Sequence, residues 1–287
     1  MNADEPVFDL IRPDVWSHGV IFASPHSGRS FPAWFLKESR LTEQSLRSSE
    51  DAYIDQLIAP ARASGAAILT SRIPRSVVDL NRNRDEIDPL VVADVPQGKL
   101  NSRIMAGLGV IPRVVSQGRP IYNRLIPKVE AERRIEAFWT PYHRALGGLI
   151  DEAIDRFGGA LLIDVHSMPR DALAHLPAPR PEIVVGDRNG GSASKRVSDE
   201  VIDTISGLGY RVRRNSPFSG AYITAAYGRP AQNVHVVQVE IDRSLYMDEQ
   251  RIAPRADFAM FALRFSGLVA KLASIRPGDS GVAMAAE

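Results

Sequence analysis

At 287 residues, with 44% hydrophobic and 24% charged side chains, the chain is long enough for one large α/β domain or two small ones and can bury a sizeable core. A formal net charge of +1 gives no case for binding nucleic acid or an anionic membrane, and the dispersed arginines read as solvated surface balanced by acids. Cysteine is absent, which excludes disulfides, thiolate metal ligands and a cysteine nucleophile, so any metal must be held by His, Asp or Glu.

The opening segment MNADEPVFDLIRPD lacks the basic stretch and apolar core of a signal peptide. No apolar run approaches the roughly 18 residues of a membrane helix. A cytoplasmic location is therefore expected. The first clear strand is GVIFASPHS (19–27). SSEDAYIDQLIAPARASG (48–65) then reads as a helix, with Ser48 or Ser49 as its N-cap and acids in its first turn. AAILTSRI (66–73) is a second strand, and Arg75 and Arg82 are expected to flank a further short apolar one.

Residues 129–158 repeat apolar positions at Ile135, Phe138, Tyr142, Leu146, Leu149, Ala153 and Ile154, the period of a helix that Pro141 kinks or divides. ALLIDVHS (160–167), EIVVGD (182–187) and VHVVQVEI (234–241) are strands, separated by a helix over 193–209 that stops on a glycine. The segment from Asp248 to about Ser274 reads as a last helix, and the small, polar tail 276–287 as frayed. Most strands are near-continuous apolar runs, as in a sheet covered on both faces. The alternation predicts a three-layer α/β fold with a mainly parallel or mixed central sheet, built as a single domain over 1–287.

Two of these runs end in groups that are costly to bury. ALLIDVHSMP delivers Asp164 and His166 at its tip, and VHVVQVEID carries Glu240 among valines. In open α/β sheets, ligands bind beyond the carboxyl ends of the strands, where His26 of SPHSG and His166 both stand. A lone histidine there is ordinarily structural; a pair, with no cysteine in the chain, points to a metal. Catalytic zinc commonly takes two histidines and a carboxylate plus water. Glu50 or Asp51, at the start of the helix after a long loop, can supply the carboxylate, although acids there also complement a helix dipole. Asn81 and Arg82 offer donors suited to a substrate carboxylate, with Arg75 oriented towards the same pocket. Glu240 suits the role of a base beside a metal-activated water, against the alternative of a core carboxylate paired to an arginine.

The segments SPHSG, RSVVDLNR, IYNRLIP, LLIDVHSMP, NSPFSGAYITAAYG and VQVEIDRSLYMDE, in this order from about residue 19 to 250, resemble the N-formylglutamate amidohydrolase family. That family is similar in architecture to zinc carboxypeptidases and aspartoacylase-like deacylases. The resemblance implies a zinc ion held by His26, Asp51 and His166, with Asp51 preferred over Glu50 because the family pattern sets an aspartate just before an aromatic-containing helix start, here Asp51-Ala52-Tyr53. The His-x-x-Glu ligand pair of zinc carboxypeptidases is absent, since Ser27-Gly28-Arg29 follows His26. By the same likeness Asn81 and Arg82 hold a substrate carboxylate, Arg75 polarises the scissile carbonyl and Glu240 is the general base. The implied reaction is hydrolysis of N-formyl-L-glutamate to formate and glutamate, in histidine breakdown. A substrate with two carboxylates needs a second cation, for which Arg124, Arg188 and Arg229 are candidates.

Two rival readings remain at this level. One is a related zinc deacylase or carboxypeptidase acting on another N-acyl amino acid. The other is a binding protein that keeps the fold without the chemistry, whose mark would be loss of Glu240 or of a histidine, and neither is lost. A dinucleotide-binding enzyme is set aside because no Gly-rich phosphate loop follows the first strand.

Overall fold

The apolar runs assemble into one seven-stranded sheet. The computed structural model describes residues 6–96 and 101–278. In chain order the strands are β1 (Phe8–Ile11), β2 (Val20–Ser24), β3 (Ala67–Ser71), β4 (Ala160–Met168), β5 (Ile183–Gly186), β6 (Val212–Arg214) and β7 (Val234–Asp242), lying side by side as β1-β3-β2-β4-β7-β5-β6. The four central strands, β3, β2, β4 and β7, run parallel. β1 joins antiparallel to β3, and β5 antiparallel to β7, so the sheet is mixed. The five expected strands are all present, whereas the edge strands β1 and β6 have no clear sequence signal. They are short, and their side chains are half-buried or exposed.

Because successive strand residues alternate between faces, each strand feeds two cores. Leu162, Val234 and Val236 pack with Tyr142, Leu146, Leu149 and Ala153 of the helix Thr140–Phe157. Leu161, Ile163, Val165, Val237, Val239 and Ile241 pack on the other side, against Ile54–Ile58, Lys195–Ser206 and Phe258–Ala273. Helices thus cover both faces. Asp164, His166, Gln238 and Glu240 belong to the first face by alternation, at its carboxyl edge.

The expected helices are modified where backbone chemistry interrupts them. Over 48–65 only Ile54–Ile58 is α-helical: Arg47–Ser49 forms a separate tight turn, and Tyr53, not Ser48 or Ser49, caps the helix from the left-handed region at φ 68°. Pro60, with no N–H to donate, falls in the tight 3-10 turn Ala59–Ala61 that follows. From Lys128 to Phe157 the helix is continuous, with Ile135–Trp139 a wider π turn just before Pro141, so the proline does not divide it. The last helix begins only at Phe258, because Met247–Asp248 and Ala253–Pro254 pair as a small hairpin. The helix from 193 starts at Lys195 under a Ser194 cap, and Gly209 takes a φ of 87° after its end, as expected of a glycine stop. Residues 75–82 are not a strand but a buried loop. Of the expected frayed tail, Arg276–Gly278 accept hydrogen bonds from Arg196, and 279–287 lie outside the described residues.

Candidate active site

Three elements converge where β2, β4 and β7 end. His26 sits in the turn just beyond β2, His166 is near the end of β4, and Glu240 is its direct register partner on β7. Asp51 enters from the turn after Arg47–Ser49, anchored by its N–H donating to the His26 carbonyl at 3.0 Å. The left-handed Tyr53 turns the chain sharply into its helix two residues later. Its hydroxyl donates to the Ile252 carbonyl at 2.9 Å, which helps hold that turn.

The result is a buried His26–Asp51–His166 cluster whose ligand atoms all lie within 4.8 Å of one another. Nδ1 of both rings faces the same oxygen, Oδ2 of Asp51, at 3.5 Å for His26 and 3.0 Å for His166. The opposite nitrogens are each held by a carboxylate: His26 Nε2 is 2.7 Å from Asp79 Oδ1, and His166 Nε2 is 3.0 Å from Asp164 Oδ2. Such carboxylate–imidazole pairs fix ring orientation and tautomer in metal sites. With its proton on Nε2 towards Asp79, His26 turns an unprotonated Nδ1 towards a carboxylate, and that buried nitrogen has no hydrogen-bond partner. Two lone pairs facing each other call for a cation between them. The residues present fit a metal ion.

The electrostatics agree. Burial alone would raise the Asp51 carboxyl, but the His166 and His26 rings beside it outweigh burial and hold the group well below the usual carboxylate range. Asp79 is likewise raised by burial and lowered further by Arg75 and His26, ending well below that range. Burial would lower His166, yet Asp164, Asp51 and Glu240 together push it well above an ordinary imidazole. Glu240 goes the other way: burial, opposed by His166 and Arg75, lifts it to about 7. Its Oε1 accepts from the amide of Gln238, the residue two before it on the same face, at 2.8 Å.

The expected site residues are distributed as follows. Glu50, the alternative carboxylate, is turned away onto Arg47, whose Nε donates to it at 2.7 Å. Arg75 donates to Asp79 Oδ2 at 2.7 Å and retains partial exposure. Asn81 is committed to protein partners: its Nδ2 lies 3.1 Å from His166 Nε2 and 3.3 Å from Asp164 Oδ2, and its Oδ1 accepts from the Ile223 N–H at 2.7 Å. Arg82 is 8% exposed and donates only to the carbonyls of Leu108 and Asn81, with no carboxylate ion partner among the described residues. Arg124 faces solvent beside Glu38, and Arg229 is exposed. Arg188, also exposed, holds φ 54° and lies close to Gly220 on the segment that leads to Ile223.

The geometry also brings in residues to which the sequence reading assigns no role. Asp79 and Asp164 orient the rings, Ser167 and Arg243 hold Asp51, and Gln238 holds Glu240. Asp164 was legible as the same-face neighbour of His166, two residues away; Arg243 had no local signal. Gly186 belongs with them, since a Cβ there would lie 2.7 Å from the Ser219 carbonyl carbon. Only glycine lets the Ser219–Gly220 backbone come so close to Gly186, the register partner of Gln238.

A model of the N-formylglutamate amidohydrolase family matches residues 18–247, which include every residue of this site. The chain belongs to that family. Among its relatives, the N-formylglutamate deformylase of Pseudomonas aeruginosa is 34% identical over 84% of this chain and 86% of its own length. The N-formylglutamate deformylase of Pseudomonas putida is 31% identical over 80% of this chain and 82% of its own. The crystal structure of N-formylglutamate amidohydrolase from Ralstonia eutropha JMP134 matches with a TM-score of 0.86 at 33% identity, covering 93% of this chain and 97% of that one. A gene product of Agrobacterium tumefaciens shares the fold at 18% identity, with a TM-score of 0.66.

Proposed function

We propose that this protein is a zinc-dependent amidohydrolase that cleaves N-formyl-L-glutamate to formate and glutamate. The observation that carries the reading is the buried His26–Asp51–His166 cluster with Glu240 directly beside His166 on the neighbouring strand. Family membership and relatives named for this substrate support it. Two imidazoles and a carboxylate are a common donor set for catalytic zinc, which supplies a Lewis acid and makes a bound water acidic near neutrality.

The chain's own groups account for the rest. Glu240 takes the proton of the attacking water and returns it to the departing amine; burial to about 7 lets one carboxyl do both near neutral pH, and a cation in the cluster would draw that value down. Arg75, fixed by Asp79 and partly open, donates to the formyl oxygen as it gains charge. Arg82 is a buried guanidinium in direct contact with no carboxylate among the described residues, Asp79 acting on it only through space, a costly state that a substrate carboxylate relieves. Asn81 acts by holding His166 and Asp164 in place, and its contact with substrate would require it to release one of them.

The test is a panel of N-formyl-L-glutamate, N-acetyl-L-glutamate, N-succinyl-L-glutamate and N-formyl amino acids without a side-chain carboxylate, with metal content measured on the same sample. Formate release from N-formyl-L-glutamate at zinc stoichiometry is expected. Faster turnover of a bulkier acyl group would overturn the substrate, and full activity in metal-free protein would overturn the chemistry.

A further inference from the structure

The two oxygens of Asp51 have separate partners. Oδ2 faces Nδ1 of His166 and His26, whereas Oδ1 accepts from Ser167 Oγ at 3.1 Å and from Arg243 Nη2 at 3.1 Å. Arg243 follows directly on β7 and is 7% exposed. Its Nε donates to Ser167 Oγ at 3.0 Å and its Nη1 to the Ser48 carbonyl at 3.2 Å. A guanidinium can only donate, so the single proton of Ser167 is directed to Asp51. The bonds run one way, from Arg243 to Ser167 to Asp51, with a second bond from Arg243 to the same oxygen. The fork also ties the turn that carries Asp51 to the ends of β4 and β7.

We infer that Arg243 and Ser167 are positioning residues that reserve Oδ1 of Asp51 and so make it a one-oxygen ligand, offering Oδ2 alone to the ion it would hold with His26 and His166. The inference rests on the metal-dependent reading above. A carboxylate free to rotate can present both oxygens to a cation; here one is bound by two donors and the other faces only the Nδ1 atoms of the two histidines. Two effects of Arg243 oppose each other. Its positive charge repels a cation, so if charge dominated, removing it would tighten metal binding. Its fork fixes the ligand, so if orientation dominates, removing it weakens binding and changes the coordination. Three donated contacts end on this one turn, two at Asp51 Oδ1 and one at the Ser48 carbonyl, while the bond from Arg243 to Ser167 holds one of the donors in place, which argues that orientation wins.

The test is metal binding to apo protein, not turnover. Zinc affinity is measured by chelator competition, and the visible absorption of the cobalt(II)-loaded protein reports coordination number, for wild type, Arg243→Met, Arg243→Lys and Ser167→Ala. Arg243→Met is expected to weaken zinc about 10–100-fold, the usual effect of losing a partner of a metal ligand, and to change the cobalt band. Ser167→Ala should move both readouts in the same direction by less, and Arg243→Lys, which keeps the charge but loses the fork, should fall between. Zinc bound as tightly or more tightly by Arg243→Met, with an unchanged cobalt spectrum, would overturn the role. If Arg243→Met does not fold, as read by circular dichroism of the apo protein, Arg243→Lys and Ser167→Ala decide by the same criteria. A wild type that takes up neither ion overturns the metal reading itself, whereas metal-binding wild type beside equally tight variants overturns only the role of Arg243 and Ser167.

Discussion

His166 and Glu240 are direct partners in the parallel register of β4 and β7, on the same face of the sheet. Adjacent strands lie about 4.8 Å apart, so a proposed ligand and a proposed base are held by two central strands rather than by loops. The separation of their roles can be tested residue by residue.

His26→Ala, His166→Ala and Asp51→Ala should each abolish stoichiometric metal and amide hydrolysis, whereas Glu50→Ala should leave metal content intact because Glu50 is engaged with Arg47. Atomic emission on dialysed protein checks this. Metal at 100 times its dissociation constant should stabilise the wild type by about 2.7 kcal/mol, an increment absent in His166→Ala. Full occupancy in that variant would remove His166 from the ligand set.

Glu240→Gln preserves shape and a hydrogen bond to Gln238 while removing the proton acceptor. Turnover should fall by about 10²–10⁴ with fold and metal content kept. The acid limb follows from the sign of the shift: Glu240 acts as carboxylate, burial raises it to about 7, and so kcat is lost as pH falls through that region, or somewhat lower with a cation bound. The apparent value belongs to the coupled group, not to Glu240 alone. A wild type with no acid limb between pH 5 and about 7, or near-normal turnover in Glu240→Gln, makes the residue structural.

Arg82→Lys keeps the charge but loses the planar fork. Because a carboxylate clamp acts equally on substrate and transition state, the change should raise KM with kcat little altered. A substrate amidated at the clamped carboxylate should lose little more on mutation. Independent, additive losses would show that Arg82 touches something else.

His143 offers a test outside the cluster, against the Leu80 carbonyl between Asp79 and Asn81. Burial, partly countered by the Leu80 carbonyl, lowers its pKa from 6.5 to about 4. The folded state therefore resists a proton that the unfolded chain accepts below pH 6.5. Stability should decline as pH drops from 6.5 towards 4, by up to about 3 kcal/mol from this group, and remain free of that penalty above 6.5. Urea unfolding of His143→Gln should show a flatter profile over this window; an equal slope would mean that His143 titrates normally.

Much of the architecture is legible in the residues, because apolar runs of strand length bounded by turn signals suit a sheet covered on both sides. The site was less evenly so. His26, His166 and Glu240 stand out since each interrupts or ends such a run, and alternation puts Asp164 with His166 and Gln238 with Glu240 before any coordinates are known. The choice between Glu50 and Asp51 rests in the sequence on the family resemblance alone, Asp51-Ala52-Tyr53, as adjacent acids in one turn carry the same local signal. It is decided by direction: the chain turns one towards Arg47 and the other towards two rings.

The sequence by itself determined the five inner strands, the three-layer arrangement they require and which polar groups would be costly to bury, because hydrophobic periodicity and desolvation act on each segment locally. Only the tertiary structure decided that residues 75–82 are a buried loop, that Asp79 and Asp164 each hold a histidine, and that Arg243 reaches Asp51 across 192 positions of chain. Such contacts depend on which strand ends become neighbours, and strand order is set by packing among all the elements, which no single segment encodes.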